Sequence, residues 1–275
     1  MPGTVYLVGA GPGDPELLTV KAHRLLREAD VVLHDKLPGP EIIELVPAER
    51  REDVGKRAGG ERTSQAEINA RLVELAREGK DVVRLKGGDP TVFGRGGEEM
   101  AHLADAGVPF AVVPGVTSAI AGPETAGVPV THREHASSVS FVTGHEDPAK
   151  DESAVDWAAL AATGGTIVVL MGVGRLPDYT AALREAGMDP GTPVALVERA
   201  TWPDQRIATG TLDTVVDVRD EAGIEPPAVT VIGGVAGERE RVAEWLVDAR
   251  GVVGEAGLTK PGADDERGED STGGA

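Results

Sequence analysis

The stretch from Arg84 to Glu99, RLKGGDPTVFGRGGEE, constrains this chain more than any other. It follows the apolar pair Val82-Val83 and packs Gly87, Gly88, Gly94, Gly96 and Gly97 into sixteen residues together with Asp89-Pro90. Glycines at that density ruin a helix or a strand, because each loses much conformational freedom on folding and brings no side chain to pack. They suit a place where backbone must come very close to something else. An ordinary strand-to-helix turn is the simpler reading, and turn chemistry alone allows it. A second glycine loop, Gly9-Ala10-Gly11-Pro12-Gly13-Asp14, favours the close approach.

Both loops fall in a regular alternation. Residues 4–9 (TVYLVG) read as a buried strand and residues 15–29 as a helix, with Leu17, Leu18, Ala22, Leu25, Leu26 and Ala29 at helical spacing. Residues 30–35 read as a second strand with polar residues at its carboxyl end, and a short helix is expected over 40–45. Ser64, with Glu67 three residues on, is a capping box for a helix running to Glu78. Residues 81–85 form a strand entering the central loop, 97–106 a helix and 109–113 a further strand. Strand, helix, strand in steady order predicts a parallel sheet with right-handed crossovers.

Around Val113-Pro114-Gly115-Val116 the pattern changes. The expected organisation is therefore α/β with two domains, an N-terminal parallel sheet in residues 1–114 and a C-terminal mixed sheet in residues 115–250. The second half opens on a short helix at 117–125 and carries strands at 138–143, 166–171, 194–198, 206–211 and 228–233. Helices are expected at 176–186 and after Thr211. The step through Trp202-Pro203-Asp204-Gln205 is too short for a crossover, so the strands around it must be antiparallel. Residues 236–250 read as an amphipathic closing helix with Val242, Ala243, Trp245 and Leu246 inward. Residues 251–275 are rich in glycine and carboxylate and cannot bury enough apolar area to order themselves.

Composition removes several kinds of chemistry. Without cysteine there is no disulfide, thiolate metal site or thiol nucleophile. No apolar run reaches the roughly 18 residues of a membrane span, and no basic region precedes the first apolar run, which together read as a cytoplasmic protein. A net charge of -19 repels a nucleic-acid partner, and no basic stripe appears. Of 27 basic residues 7 are lysine and 20 arginine, and this acidic, lysine-poor balance is similar to that of proteins from salt-loving organisms.

The first glycine loop invites a dinucleotide-binding reading, but that fingerprint is G-x-G-x-x-G, and here the third glycine comes one position early. A nicotinamide-dependent oxidoreductase and a non-catalytic nucleotide-binding module stay open on this motif. The loops taken together are more specific. GAGPGDPELLT, HDKL, GKR, RLKGGDPTVFGRGGEE, VVPGVTSA with PVTHRE, VLMGVGRL and VALVERAT, in that order, resemble the tetrapyrrole (corrin and porphyrin) methyltransferase family over roughly residues 4–235.

The resemblance implies a two-domain α/β homodimer that binds S-adenosyl-L-methionine in the cleft between its domains and releases S-adenosyl-L-homocysteine. It also implies a tetrapyrrole substrate, uroporphyrinogen III, methylated at C2 and C7 to precorrin-2 through precorrin-1; a later corrin-ring substrate is the alternative within the fold. By the same resemblance the cofactor contacts fall on Pro12, Gly87, Gly88, Asp89, Val92, Thr117, Ser118, Met171, Ala200 and Ala228. Asp35 falls on the proton acceptor and Lys56 on the proton donor. Read from the residues alone, Asp89 is equally a turn carboxylate beside Pro90, Asp35 a strand-end turn residue and Lys56 a solvated lysine.

Uroporphyrinogen III carries eight carboxylates, an awkward guest at a net charge of -19, so local cations must decide its binding. The candidates are Arg57, Lys86, Arg95, His132 and Arg133, since arginine forks suit carboxylates. His132-Arg133-Glu134-His135 carries too few ligands in sequence for a metal site, and none is expected.

Overall fold

A computed structural model describes residues 2–55, 63–145 and 155–248. The chain divides into two compact units, Met1–Gly115 and Val116–Val252. In the first, the strands are β1 (Val5–Gly9), β2 (Val31–His34), β3 (Arg51–Asp53), β4 (Val82–Lys86) and β5 (Phe110–Val113). The helices are α1 (Val20–Glu28), α2 (Pro40–Ile43), α3 (Gln65–Arg77) and α4 (Gly96–Asp105). The strands order β3-β2-β4-β1-β5, and every pair is parallel, as the alternation predicts.

Period-two alternation splits this sheet between two cores. Val8, Val32, Val83 and Leu85 meet α1 and α2 on one face. Val5, Leu7, Leu33 and Val82 meet α3 and α4 on the other. The central strand β4 is thus covered on both faces, and all five of its residues are buried, Arg84 and Lys86 included.

Two local readings need correction. The helix expected over 15–29 is two pieces, a 3-10 turn at Pro15–Leu17 and then α1, because Thr19 caps α1 by accepting from the Ala22 amide at 3.1 Å. The edge strand β3, Arg-Glu-Asp, was not expected, since three polar residues show no period. The capping box at Ser64 is present: its hydroxyl accepts from the Glu67 amide at 3.3 Å, and the Glu67 carboxylate accepts from the Ser64 amide at 2.8 Å. Ser64→Ala is expected to cost about 1 kcal/mol in urea unfolding.

The second unit contains α5 (Ser118–Thr125), β6 (Val139–Thr143), α6 (Trp157–Thr163), β7 (Thr166–Leu170), α7 (Leu176–Glu185), β8 (Pro193–Glu198), β9 (Arg206–Thr211), α8 (Val215–Ala222), β10 (Ala228–Ile232) and α9 (Glu238–Val242). Its strands order β6-β7-β10-β8-β9. β6 and β7 are parallel, while β10 runs antiparallel to both β7 and β8, and β8 to β9, which makes the sheet mixed as expected. Tyr179 of α7 lies buried in this core, stacks on Trp157 and donates its hydroxyl hydrogen to Thr230 at 3.0 Å.

The closing helix departs from its expectation. It ends at Val242, and Trp245 is 80% exposed, with Leu246 and Val247 also exposed. The spacing of apolar residues is helical, and Val242 and Leu246 lie against Gly127. The tail from 251 onward lies outside the described residues. Among the described residues no helix is long and apolar enough to cross a membrane.

Candidate functional site

In the first unit the loops that follow β1, β4 and β5 are locked together by backbone. Gly11 and Gly88 exchange two hydrogen bonds, at 3.1 and 2.7 Å, and the Ala10 amide donates to the Lys86 carbonyl at 2.8 Å. Gly11 and Gly88 both have positive φ, 72° and 65°. A side chain at Gly9 would stand 2.5 Å from the Gly115 amide nitrogen and 2.7 Å from the Gly88 carbonyl. The close approach inferred from the glycines is therefore met first by these loops among themselves. Gly94 and Gly96 serve the Pro90 carbonyl in the same way, whereas a side chain at Gly97 would meet nothing within 4 Å.

Asp89 fastens this arrangement. One carboxylate oxygen accepts from the Thr91 amide at 2.8 Å and its hydroxyl at 2.7 Å; the other accepts from the Gly115 amide at 3.2 Å. Burial pushes the carboxyl up, but bonds from Thr91, Gly115 and Val92 outweigh it and hold the group below its usual range. A depressed carboxyl stabilises the fold above its unfolded value, and that contribution disappears as pH falls through the folded one. The turn reading of Asp89 is thus correct as geometry, whatever else the carboxylate binds.

At the end of β2, Asp35 accepts from the Leu37 amide at 2.9 Å and from Arg84 Nη2 at 3.4 Å. A side chain at Gly55 would lie 3.4 Å from Asp35 Cβ, so Gly55 lies beside Asp35. Lys56 and Arg57 themselves lie outside the described residues. Arg95 pairs with Glu98 through both ends of its fork, at 2.8 and 2.7 Å, on the surface. Lys86, expected among the surface cations, is instead buried, with its ammonium donating to Glu99 at 3.0 Å. The reason is its place in the central strand.

Within the second unit, Met171 follows β7, Ala200 follows β8, and Ala228 opens β10 opposite Glu198. Because β10 is antiparallel, these three share one edge of the sheet. Thr117 caps α5, which packs on β10, β7 and β8. The loop holding His132 and Arg133 lies elsewhere: His135 sits against Gly234 and bonds Glu238 at 2.8 Å, past the carboxyl end of β10. A five-residue strand separates the two edges, roughly 16 Å. The structure therefore does not gather His132 and Arg133 with Met171, Ala200 and Ala228.

One feature went unseen in the sequence. Among the described residues, the non-glycine residues with positive φ are Phe93, Arg95, Met171, Arg199 and Thr201, all in loops directly after β4, β7 and β8. Strained backbone of this kind collects where geometry serves a site. His132, Glu134 and His135 also offer ligand atoms within 4.8 Å of one another, although His132 Nδ1 already accepts from the Glu134 amide and His135 Nε2 already faces Glu238. A groove of about 710 Å³ between α3 and α4 carries none of the candidate residues. Its position on the helical flank makes the strand-end loops, and not this groove, the place to look for chemistry.

An α/β protein whose glycine loops and polar strand ends collect at one sheet edge has the build of a ligand-binding enzyme. The sequence pattern of the Tetrapyrrole (Corrin/Porphyrin) Methylases matches residues 4–216, and the chain belongs to that family. It is 56% identical over 234 residues to the S-adenosyl-L-methionine-dependent uroporphyrinogen III methyltransferase of Methanosarcina barkeri, covering 85% of this chain and 92% of that one. It is 50% identical over 245 residues to a siroheme synthase of Hahella chejuensis, 89% of this chain but 52% of that protein, so it spans about half the length of that relative. Its fold superposes with a TM-score of 0.73 on uroporphyrin-III C-methyltransferase from Thermus thermophilus complexed with S-adenyl homocysteine, at 45% identity over 86% of this chain and 99% of that one.

Proposed function

We propose that this chain is an S-adenosyl-L-methionine-dependent C-methyltransferase that methylates uroporphyrinogen III at C2 and C7, giving precorrin-2 through precorrin-1, as a cytoplasmic homodimer. The observation that carries the reading is the 56% identity over 234 residues to a uroporphyrinogen III methyltransferase, together with glycine loops at the carboxyl edge of the first sheet.

Those loops suit the cofactor. Residues 9–14 and 87–92 contain no lysine or arginine, only the carboxylates Asp14 and Asp89, so they present bare main chain and negative charge to a sulfonium cation. Pro12, Gly87, Gly88, Asp89 and Val92 would hold it from the first unit; Thr117, Ser118, Met171, Ala200 and Ala228 are the positions proposed on the second. Bound there, it supplies an activated methyl group whose departing sulfur keeps the electron pair of the broken S–C bond. The protein's part is mostly positioning, which accounts for much of the acceleration in a transfer of this kind. Asp35 takes the proton that the ring system loses as its carbon gains the methyl group, and Lys56 is the proposed proton donor. Arg57 and Arg95 are proposed to meet substrate carboxylates, Arg95 by exchanging Glu98 for one of them.

The test is incubation of the purified chain with uroporphyrinogen III and S-adenosyl-L-methionine, followed by mass measurement of the product. Two added methyl groups are expected. None, with S-adenosyl-L-homocysteine still binding, would move the activity to another corrin-ring substrate, and saturable binding of NAD alone would end the methyltransferase reading. Sedimentation at twice the chain mass checks the dimer.

Charge sets a further expectation. The field of a chain with net charge -19 repels a polyacid, while a close arginine fork attracts it. At about 1 M salt the Debye length is about 3 Å, short enough to erase the long-range repulsion before the close pair weakens. Substrate affinity is expected to hold level or tighten as salt rises. A steep, monotonic loss in a fluorescence titration would contradict the account.

A further inference from the structure

β4 sends two cations into the face of the sheet that α3 and α4 cover. Arg84 and Lys86 stand two residues apart and so point the same way, beside Leu7 and Leu33. Buried charge is costly unless it is paired and hydrogen-bonded. The partner is Glu99 of α4, which is fully buried. One of its oxygens, Oε1, accepts from Arg84 Nε at 3.2 Å, Lys86 Nζ at 3.0 Å and Gln65 Nε2 at 3.1 Å. Gln65 in turn donates to Asn69 at 2.8 Å, so α3 braces the group as well.

Two cations against one carboxylate leave a formal charge of +1. The remaining donor of Arg84 settles where it goes. Nη1 donates to the Leu85 carbonyl at 2.9 Å, and Nη2 points past the end of β2 to Asp35 Oδ2 at 3.4 Å. Asp35, with a side chain 27% exposed, is the most exposed of the four charged groups Arg84, Lys86, Glu99 and Asp35. Its other oxygen is held by the Leu37 amide, and its carbonyl by His34 Nδ1 at 2.9 Å. Burial, and after it Arg84, push the Lys86 ammonium down, against the pull of Glu99 and Asp35.

We propose that Arg84, clamped by Glu99, is the positioning residue that aims the Asp35 carboxylate for proton transfer. The fork is held at two points, the Glu99 carboxylate and the Leu85 carbonyl, before it reaches Asp35. The inference rests on Asp35 being the base of the methyl transfer; the effect of Arg84 on the Asp35 carboxylate is measurable whether or not that assignment holds.

The groups facing Asp35 that also titrate or carry charge are His34 on β2, Lys86 on β4, Glu99 on α4 and Asp53 beside Gly55. The experiment therefore compares Arg84→Met, which leaves Lys86 and Glu99 as a neutral pair, with Arg84→Lys, which keeps the charge and loses the fork. The carboxyl carbon of Asp35 is followed by 13C NMR, assigned by its disappearance in Asp35→Asn, alongside kcat, KM and S-adenosyl-L-homocysteine affinity by calorimetry. In Arg84→Met the Asp35 resonance is expected to move and kcat to fall by about tenfold or more, with KM and cofactor affinity within twofold of wild type. In Arg84→Lys both stay near wild type, while kcat falls by about tenfold or more because the carboxylate is no longer aimed.

An unmoved Asp35 resonance with wild-type kcat in a folded Arg84→Met overturns the proposal. If that variant does not fold, wild-type kcat in Arg84→Lys overturns it. A moved resonance with full activity in Asp35→Asn keeps the positioning contact and removes the base assignment instead.

Discussion

Gly115→Ala is expected to destabilise the chain by more than about 3 kcal/mol in urea unfolding and to abolish S-adenosyl-L-homocysteine binding in calorimetry. The added methyl group would stand 2.8 Å from Gly9 Cα and closer still to the Gly88 carbonyl oxygen. Neither neighbour is the far end of a flexible side chain. Gly9 ends a strand paired on both sides, and the Gly88 carbonyl already accepts from the Gly11 amide. Relief therefore requires moving backbone in the three loops proposed to seat the cofactor, and ordinary overpacking costs of about 1–3 kcal/mol are exceeded. Gly97→Ala is the matched control. It lies in the first turn of α4 with nothing within 4 Å, and is expected to gain about 0.5 kcal/mol from the helix preference of alanine. Equal stability of the two variants would show that the loops do not interlock as described.

That contrast also marks how far the sequence could be read. The strands of the first sheet and the capping box at Ser64 are legible because each is a local pattern in residue type and spacing. The glycine loops were legible as places of close approach, yet not as contacts with one another, because pairing of Gly9 with Gly88 and Gly115 depends on strand order. The sequence does not print that order. Lys86 and Glu99 were hidden for the same reason. A lysine after Arg-Leu reads as a solvated cation until β4 is known to be central and covered on both faces, where position overrides polarity.

The closing helix failed in the opposite direction. Residues 242–246 carry apolar side chains at helical spacing, but spacing supplies no partner surface, and Trp245 stays exposed. The second sheet was read correctly as mixed from one short connection, 202–205. The position of β10 between β7 and β8 was not readable, although it alone brings Ala228 to the edge shared by Met171 and Ala200.

Asp35→Asn separates binding from chemistry at the proposed centre. The substitution keeps an oxygen to accept from the Leu37 amide but sets an amide NH2 against the Arg84 fork. Losing a hydrogen bond from a charged donor at a partly exposed position is expected to cost about 1 kcal/mol of stability, too little to unfold the chain. The catalytic effect is larger. General-base help contributes about 10²–10⁴ in rate, so kcat for methyl transfer to uroporphyrinogen III is expected to fall by that factor. KM and S-adenosyl-L-homocysteine affinity should stay within about threefold, because Asp35 belongs to the end of β2 and the loops proposed for the cofactor follow β1 and β4. A parallel loss of cofactor affinity would instead make Asp35 a structural support of those loops. An unchanged kcat would leave the proton to solvent or to substrate, and positioning alone would then account for the acceleration.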